Sequence, residues 1–264
     1  MPDSTRAVAR QTWRNGIAAS DTDQVVVEVP VAFVYNGISH AVMMSTPADL
    51  EDLALGFSLS ESILSSKEQL LGLDIIHREQ GMELAMEITA EPFAALKQRR
   101  RALDGRTGCG LCGVEALQQL SLHTQPVGNR LQLSQQAPQD ALAALAEMQD
   151  LKAATGGVHG AAWCDAAGTI LLLREDVGRH NALDKMLGAV AREELDRDGF
   201  ALVTSRASYE MVVKAGTCGV EFLAAVSAPT DLAISRAGAA GMTLAGFLQP
   251  GRMAVYSGAQ RLME

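Results

Sequence analysis

Thr169-Ile170-Leu171-Leu172-Leu173-Arg174-Glu175-Asp176-Val177-Gly178-Arg179-His180-Asn181 is a short apolar run that breaks into a polar turn carrying one glycine, with helical spacing over 181–195 after it. The short apolar run reads as a strand buried on both faces, and the turn then delivers charged groups to the start of a helix. The pattern repeats downstream. Strands are expected at 200–204, 222–226 and 244–248, and helices at 209–215 and 230–240. An Ala/Leu helix over 140–152, stopped by Gly156-Gly157, comes before them. Apolar strands separated by helices of ~10–15 residues predict βαβ units and a mainly parallel sheet covered on both faces. Ligands of such sheets gather beyond the carboxyl ends of the strands. The polar clusters lie there: residues 175–181, then Thr204-Ser205-Arg206-Ala207-Ser208, then Ser227-Ala228-Pro229-Thr230.

The first half of the chain reads differently. Residues 25–35 are rich in β-branched residues and close on Asn36-Gly37, a strong two-residue hairpin signal. Thr46-Pro47-Ala48-Asp49 predicts a helix start with Thr46 as N-cap and Pro47 in first position, running to about residue 63. Short strands are expected at 75–77 and 83–88 around Gly81, and a helix over 91–101 ending in a basic run. Arg6, Arg10 and Arg14 stand in an N-terminal stretch without an apolar leader, expected as a frayed tail. The chain thus divides into a mixed α+β domain over residues 1–139 and an α/β domain over 140–264.

Composition narrows the function. The 264 residues carry a net charge of −9 with a pI near 5.1, which argues against a surface that tracks nucleic acid. At 48% hydrophobic and 4% aromatic, the chain has material for a core but little for a base-stacking platform. No run approaches the ~20 apolar residues of a membrane helix, so no membrane is expected and the setting is cytoplasmic. Thiols there stay reduced, which makes a close cysteine pair more plausibly reactive or metal-binding than structural.

Such a pair exists in Arg106-Thr107-Gly108-Cys109-Gly110-Leu111-Cys112-Gly113. Glycines keep the two thiols accessible and the backbone free. Lys97, Arg99, Arg100, Arg101 and Arg106 stand against one acid, Asp104, and nearby cations favour thiolate over thiol. Three chemistries fit. A structural zinc site needs four ligands, and only His123 is near, with Cys164 and Cys218 solitary. A thioredoxin-like dithiol needs a strand before it, whereas a basic helix precedes this one. A loop carrying a persulfide on one cysteine fits the glycines, the exposure and the charge. Cys164 and Cys218 read as small core hydrophobes.

Longer segments carry a resemblance. Tyr35-Asn36-Gly37, residues 44–50, Gly56-Phe57, the 108–113 loop, Val158-His159-Gly160-Ala161-Ala162, residues 175–185, residues 205–212, residues 224–230 and the stretch from Gly246 through Arg252 together resemble the formate dehydrogenase accessory sulfurtransferase family over nearly the whole chain. Ser60-Glu61-Ser62 departs from the Glu-Gly more usual there, a difference expected to touch helix packing. The resemblance implies a protein that takes sulfur from a cysteine desulfurase and passes it to the bis(molybdopterin guanine dinucleotide) molybdenum cofactor of formate dehydrogenase. The cofactor is then a bound substrate, and no tightly held metal is expected. Cys109 would carry the persulfide and Cys112 would serve relay or release, because a neighbouring thiol can resolve a mixed sulfur species. A homodimer is implied as well, and a C-terminal domain related to the cytidine deaminase fold. Deamination itself is excluded by the residues: His159 is followed by Gly160 and Ala161 where that chemistry needs a glutamate two residues on, and no Pro-Cys-x-x-Cys occurs.

By the same resemblance the remaining polar clusters become cofactor contacts. Arg179 and His180 open a helix, where backbone N–H groups favour anions, and Ser205 with Arg206 repeats that placement. Asp176 pairing with Arg179 is the structural alternative. Phe247-Leu248-Gln249-Pro250-Gly251-Arg252 resembles the guanine-dinucleotide end, offering a ring, a turn and a cation; a hairpin turn with Phe247 in the core explains the same residues equally well. A cofactor-binding chaperone that transfers nothing, or a zinc or dithiol protein, is the competing function.

Overall fold

The computed structural model describes residues 4–104 and 126–263, without the side chains of 99–104. Cys109, Cys112 and His123 therefore lie outside the described residues. The first half contains β1 (Thr5–Arg14), β2 (Ile17–Val26), β3 (Val29–Tyr35), β4 (Ile38–Ser45), α1 (Leu50–Ser60), β5 (Leu70–Arg78), β6 (Gly81–Ile88) and α2 (Ala90–Asp104). The second contains β7 (Leu133–Ser134), α3 (Ala137–Met148), α4 (Asp150–Thr155), β8 (His159–Asp165), β9 (Ile170–Asp176), α5 (Arg179–Arg192), β10 (Gly199–Val203), α6 (Tyr209–Thr217), β11 (Phe222–Ala225), α7 (Asp231–Ala240), β12 (Thr243–Gln249), β13 (Arg252–Ser257) and β14 (Leu262–Met263).

Asn36 and Gly37, both at positive φ, make the expected turn between β3 and β4. The same device works unexpectedly upstream. Asn15 and Gly16 have φ of 50° and 81°, and they join β1 and β2 into a two-stranded antiparallel ribbon in register from Thr5↔Val26 to Arg14↔Ile17. The stretch expected to fray is thus a hairpin. Its strands lack the apolar alternation that marks a buried face, and its tip leaves Trp13 69% and Ile17 74% exposed.

Strands β4-β3-β6-β5 form one sheet, with β3 and β6 parallel. Val31, Phe33, Tyr35, Met82, Leu84 and Met86 alternate inward on its strands and pack on α1. Helix α1 begins at Leu50 after Asp49 in the left-handed region, not after Thr46, and ends at Ser60 rather than near Ile63. Thr46 is fully buried, because its backbone N–H, carbonyl and hydroxyl are all engaged by the second half of the chain.

The larger sheet has the order β13-β12-β11-β10-β8-β9. Only β10, β11 and β12 pair in parallel; β8, β9 and β13 are antiparallel to their neighbours. The mainly parallel sheet expected is therefore a mixed one. Strands β8 and β13 went unread, β8 because His159-Gly160-Ala161-Ala162 is poor β-forming material. Each is one arm of a hairpin, closed at Gly168 (φ 92°) or Gly251 (φ 72°), and a short hairpin fixes an antiparallel partner. Both faces are covered, as expected. Leu183, Met186, Met211, Val212, Ala233 and Ala237 of α5, α6 and α7 pack on one face with Ala161, Val203 and Leu223. On the other, Leu131, Leu133, Ala141 and Leu145 pack against Phe200, Leu202 and Phe222. The expected 140–152 helix is broken at Gln149. There Glu175, reaching over from β9, accepts hydrogen bonds from Leu151 N (2.8 Å) and Lys152 N (3.1 Å), capping α4 from outside.

The two sheets sandwich α1 and α5. Asp52, almost wholly buried, receives Arg174 Nε and Arg192 Nε at 2.7 Å each. About two turns along, Lys214 Nζ reaches Asp184 Oδ2 (2.9 Å), Glu61 Oε1 (2.8 Å) and Ser60 Oγ (3.0 Å).

Candidate functional site

Strands β9, β10, β11 and β12 point the same way, so their carboxyl ends and the start of antiparallel β8 share one sheet edge. Backbone bonds hold the loops there side by side: Thr230 N donates to Ala207 O (3.0 Å), and Phe247 N donates to Ser227 O (3.1 Å). Every polar cluster singled out in the second half of the sequence reaches this edge.

At one end stand Arg179 and His180, the first residues of α5. Asp176 does not pair with Arg179; its carboxylate takes Lys185 Nζ at 2.6 Å instead, both side chains fully buried. His180 Nε2 lies 2.8 Å from Glu210 Oε2 but off the line of a hydrogen bond. Among the described residues, Arg179 Nε, His180 Nε2 and Ser208 Oγ are buried side-chain atoms without a hydrogen-bond partner. Such atoms are costly unless a ligand completes them. Two helix starts adjoin them. Gly178 before α5 and Ser208 before α6 make no side-chain cap, whereas Thr230 before α7 accepts from Ala233 N. The first-turn N–H groups of α5 are thus available to an anion, with the start of α6 beside them. Burial, and then the Arg179 charge, lower the pKa of both His159 and His180, while Glu210 opposes this at His180. Neutral imidazoles beside a guanidinium and two helix starts suit a ligand that brings its own negative charge.

Further along the edge, Arg206 is exposed, and the buried Ser205 hydroxyl is turned to Arg206 O at 3.1 Å. Phe247 sits at φ 50°, within an irregularity of the β12–β13 ladder. A bulky residue in that region is strained, and Phe247 stands half-buried there between buried neighbours. The Arg252 guanidinium lies 5.6 Å from its centroid. Leu248 is fully buried and offers a ligand only its backbone; Gln249, Pro250, Gly251 and Arg252 are exposed. Gln139 clamps this turn, accepting from Gly251 N and donating to Arg252 O.

Cys164 is a core residue, as expected, and burial pushes its thiol up to about 12. Cys218 is only half-buried by side chain yet is likewise pushed up to about 12, by burial and then by Asp184. It borders a cavity of about 730 Å³ with Trp163, Leu187 and Lys67, near the far ends of α5 and α6 from the polar edge. No group of three or more His, Cys, Asp or Glu among the described residues could hold a metal ion. No described helix is long and apolar enough to cross a membrane. Sequence reasoning quoted Asp184, Lys185 and Glu210 without giving them a part, since their partners come from other elements. It also set Ser60 and Glu61 aside as packing residues, yet both join the Lys214 cluster, whose charges reach His180.

Fold and edge together define an α/β protein with a mixed central sheet and a row of polar loops across the ends of its co-directed strands. The chain belongs to the FdhD/NarQ family, whose model matches residues 26–263. It is 52% identical over 260 residues to a protein of Cupriavidus necator named sulfur carrier protein FdhD, covering 98% of this chain and 90% of that one. A protein of the same name from Xanthomonas euvesicatoria pv. vesicatoria is 53% identical over 251 residues, covering 94% and 89%. The fold is also that of a crystal structure described as a formate dehydrogenase accessory protein from Desulfotalea psychrophila. That match has a TM-score of 0.79 and 20% identity, and covers 99% of this chain and all of that one.

Proposed function

We propose that this chain is a sulfurtransferase that accepts persulfide sulfur from a cysteine desulfurase and hands it to the bis(molybdopterin guanine dinucleotide) molybdenum cofactor destined for formate dehydrogenase. The reading is carried by full-length similarity to proteins named sulfur carriers, in a chain whose one close cysteine pair lies in a basic, glycine-rich stretch. In the accepting step the Cys109 thiolate attacks the terminal sulfur of the donor persulfide. A new S–S bond forms, the donor's S–S bond breaks, and the donor cysteine leaves as thiolate. Cys112 serves relay or release. The cofactor is substrate, and the crevice suits its organic part: Arg179, His180, Arg206 and the starts of α5 and α6 for phosphates, Phe247 and Arg252 for the purine. The protein works in the cytoplasm as a homodimer.

The test is mass spectrometry of the full chain after incubation with a desulfurase and cysteine. A gain of one sulfur atom that disappears in Cys109→Ala supports carriage. A wild-type chain that stays unmodified yet binds guanosine diphosphate overturns carriage and leaves a cofactor-binding chaperone. Formate dehydrogenase activity in cells bearing Cys109→Ala or Cys112→Ala separately assigns the second thiol.

A further inference from the structure

We propose that Asp176 is the positioning residue of the anion crevice: one buried carboxylate, reached from the first sheet and from α5, sets where Arg179 and His180 stand. This rests on reading the crevice as the phosphate end of the cofactor site. Asp176 Oδ1 accepts from Gly178 N (2.8 Å) and Asn181 Nδ2 (3.0 Å). Its Oδ2 accepts from Ser45 Oγ (2.6 Å) and Thr46 N (3.0 Å) and faces Lys185 Nζ at 2.6 Å. A carboxylate has about four lone-pair sites, so these donors fill it and leave none for a ligand. Asp176 must therefore act through its neighbours.

Those neighbours bracket Arg179 and His180 on both sides. Before them, Gly178 N is held by Asp176, and Val177 N donates to Thr46 Oγ1 (3.2 Å). After them, Asn181 Nδ2 also donates to Met44 O (2.7 Å), and Lys185 Nζ donates to Thr46 O (2.9 Å). The turn is pinned at each end to residues 44–46, more than 130 positions away in the chain. Stability alone would be as well served by apolar packing, because buried ion pairs rarely outperform hydrophobic replacements. The distinctive product of this hub is geometric. It holds Arg179 Nε and His180 Nε2 buried and without a hydrogen-bond partner, His180 facing Glu210 at 2.8 Å, where a free turn would release them to water.

Asp176→Asn alone leaves the Lys185 ammonium buried without its counter-charge, so the informative variant is the double substitution D176N/K185M, which removes both charges. Thr46→Val, which keeps every charge and deletes only the Val177 bond, is the second variant, should the double one fail to fold. The full chain is titrated calorimetrically with guanosine diphosphate and with guanosine, and thermal unfolding is recorded alongside. Wild type is expected to prefer the diphosphate. The double variant should bind guanosine within about twofold of wild type and lose roughly tenfold of the diphosphate preference, the worth of about one charge-assisted hydrogen bond. Thr46→Val should lose part of the same preference. A folded double variant that keeps the full preference overturns the positioning role, as does an unchanged Thr46→Val if the double variant does not fold. A wild-type chain that binds neither compound overturns the reading of the crevice itself.

Discussion

Gly56 and Gly188 meet backbone to backbone where α1 crosses α5. A β-carbon on Gly56 would stand 1.7 Å from the Asp184 carbonyl oxygen, and one on Gly188 would stand 1.9 Å from that of Asp52. No rotamer relieves a backbone clash, so the helices must part. Parting them strains the Asp52 and Asp184 ion clusters on either side of the crossing. Gly188→Ala is expected to cost roughly 3 kcal/mol, the upper part of the overpacking range, in urea unfolding. Gly238→Ala, an added methyl with nothing within 4 Å, is the control and should be neutral or slightly stabilising. Equal midpoints for the two variants would show that the helices can separate freely.

Arg261 and Lys67 separate a buried ion pair from an exposed one. Arg261 is 1% exposed; it bonds Glu221 Oε2 (3.1 Å) and Gly241 O (2.8 Å) and reaches Gly128 O. Glu221 also accepts from Arg130 N and Leu131 N, so this pair fastens the chain end to the segment leading into β7. Arg261→Met leaves the Glu221 carboxylate buried and short of partners and should cost about 3 kcal/mol or more. Lys67, paired with the largely exposed Glu194, should cost under about 0.5 kcal/mol when changed to Ala. Chemical denaturation of both variants checks the contrast, and comparable losses would contradict it.

How far this was legible depends on the reach of each interaction. The apolar run before Glu175 and the Asn36-Gly37 turn are local, and both gave the right element. Asn15-Gly16 is the same turn, but Arg10, Gln11, Ser20 and Asp21 around it present no buried face, so nothing in the pattern announced strands. The polar residues stand at one edge as expected, because strand order alone sends Arg179, Arg206 and Phe247 there. Their energetics were hidden. Asp176 could as well have paired with Arg179 three residues away; the choice of Lys185 depends on Ser45 and Thr46, supplied by another sheet. The strained φ of Phe247 and the orphaned Ser208 hydroxyl likewise exist only once the loops are packed together.

Protonation should couple to anion binding. His159 and His180 have lowered pKa values, so the unfolded chain takes up protons as pH falls through about 6.5 while the folded chain does not. Their contribution to stability is complete above that pH and declines as pH falls towards the lowered folded values. A bound phosphate favours the imidazolium against Arg179 and Lys214 and alongside Glu210 and Glu61, the charges that face His180. Guanosine diphosphate should therefore bind more tightly at about pH 6 than at about pH 8, with proton uptake seen as a buffer-dependent heat. His180→Gln should flatten much of that dependence. A wild-type affinity that does not change across the range would remove the histidines from the site.

The four thiols should separate cleanly by reactivity, and the separation bears directly on which one carries sulfur. Thiolate is the reacting form, and burial holds Cys164 and Cys218 at about 12 against an ordinary value near 8.5. At about pH 8 the thiolate of each is then scarce, even though Cys218 borders a cavity large enough to admit a reagent. Cys109 and Cys112 have the opposite setting in sequence, with glycines on both sides and five cations close upstream. Iodoacetamide applied to the native chain should add two carbamidomethyl groups quickly, both mapping to the 108–113 peptide, and two more only after denaturation. Cys218→Ser should leave the fast phase and persulfide loading unchanged. Rapid labelling of Cys218, or a persulfide found there after incubation with a desulfurase, would move the carrier role to the cavity and away from the close pair.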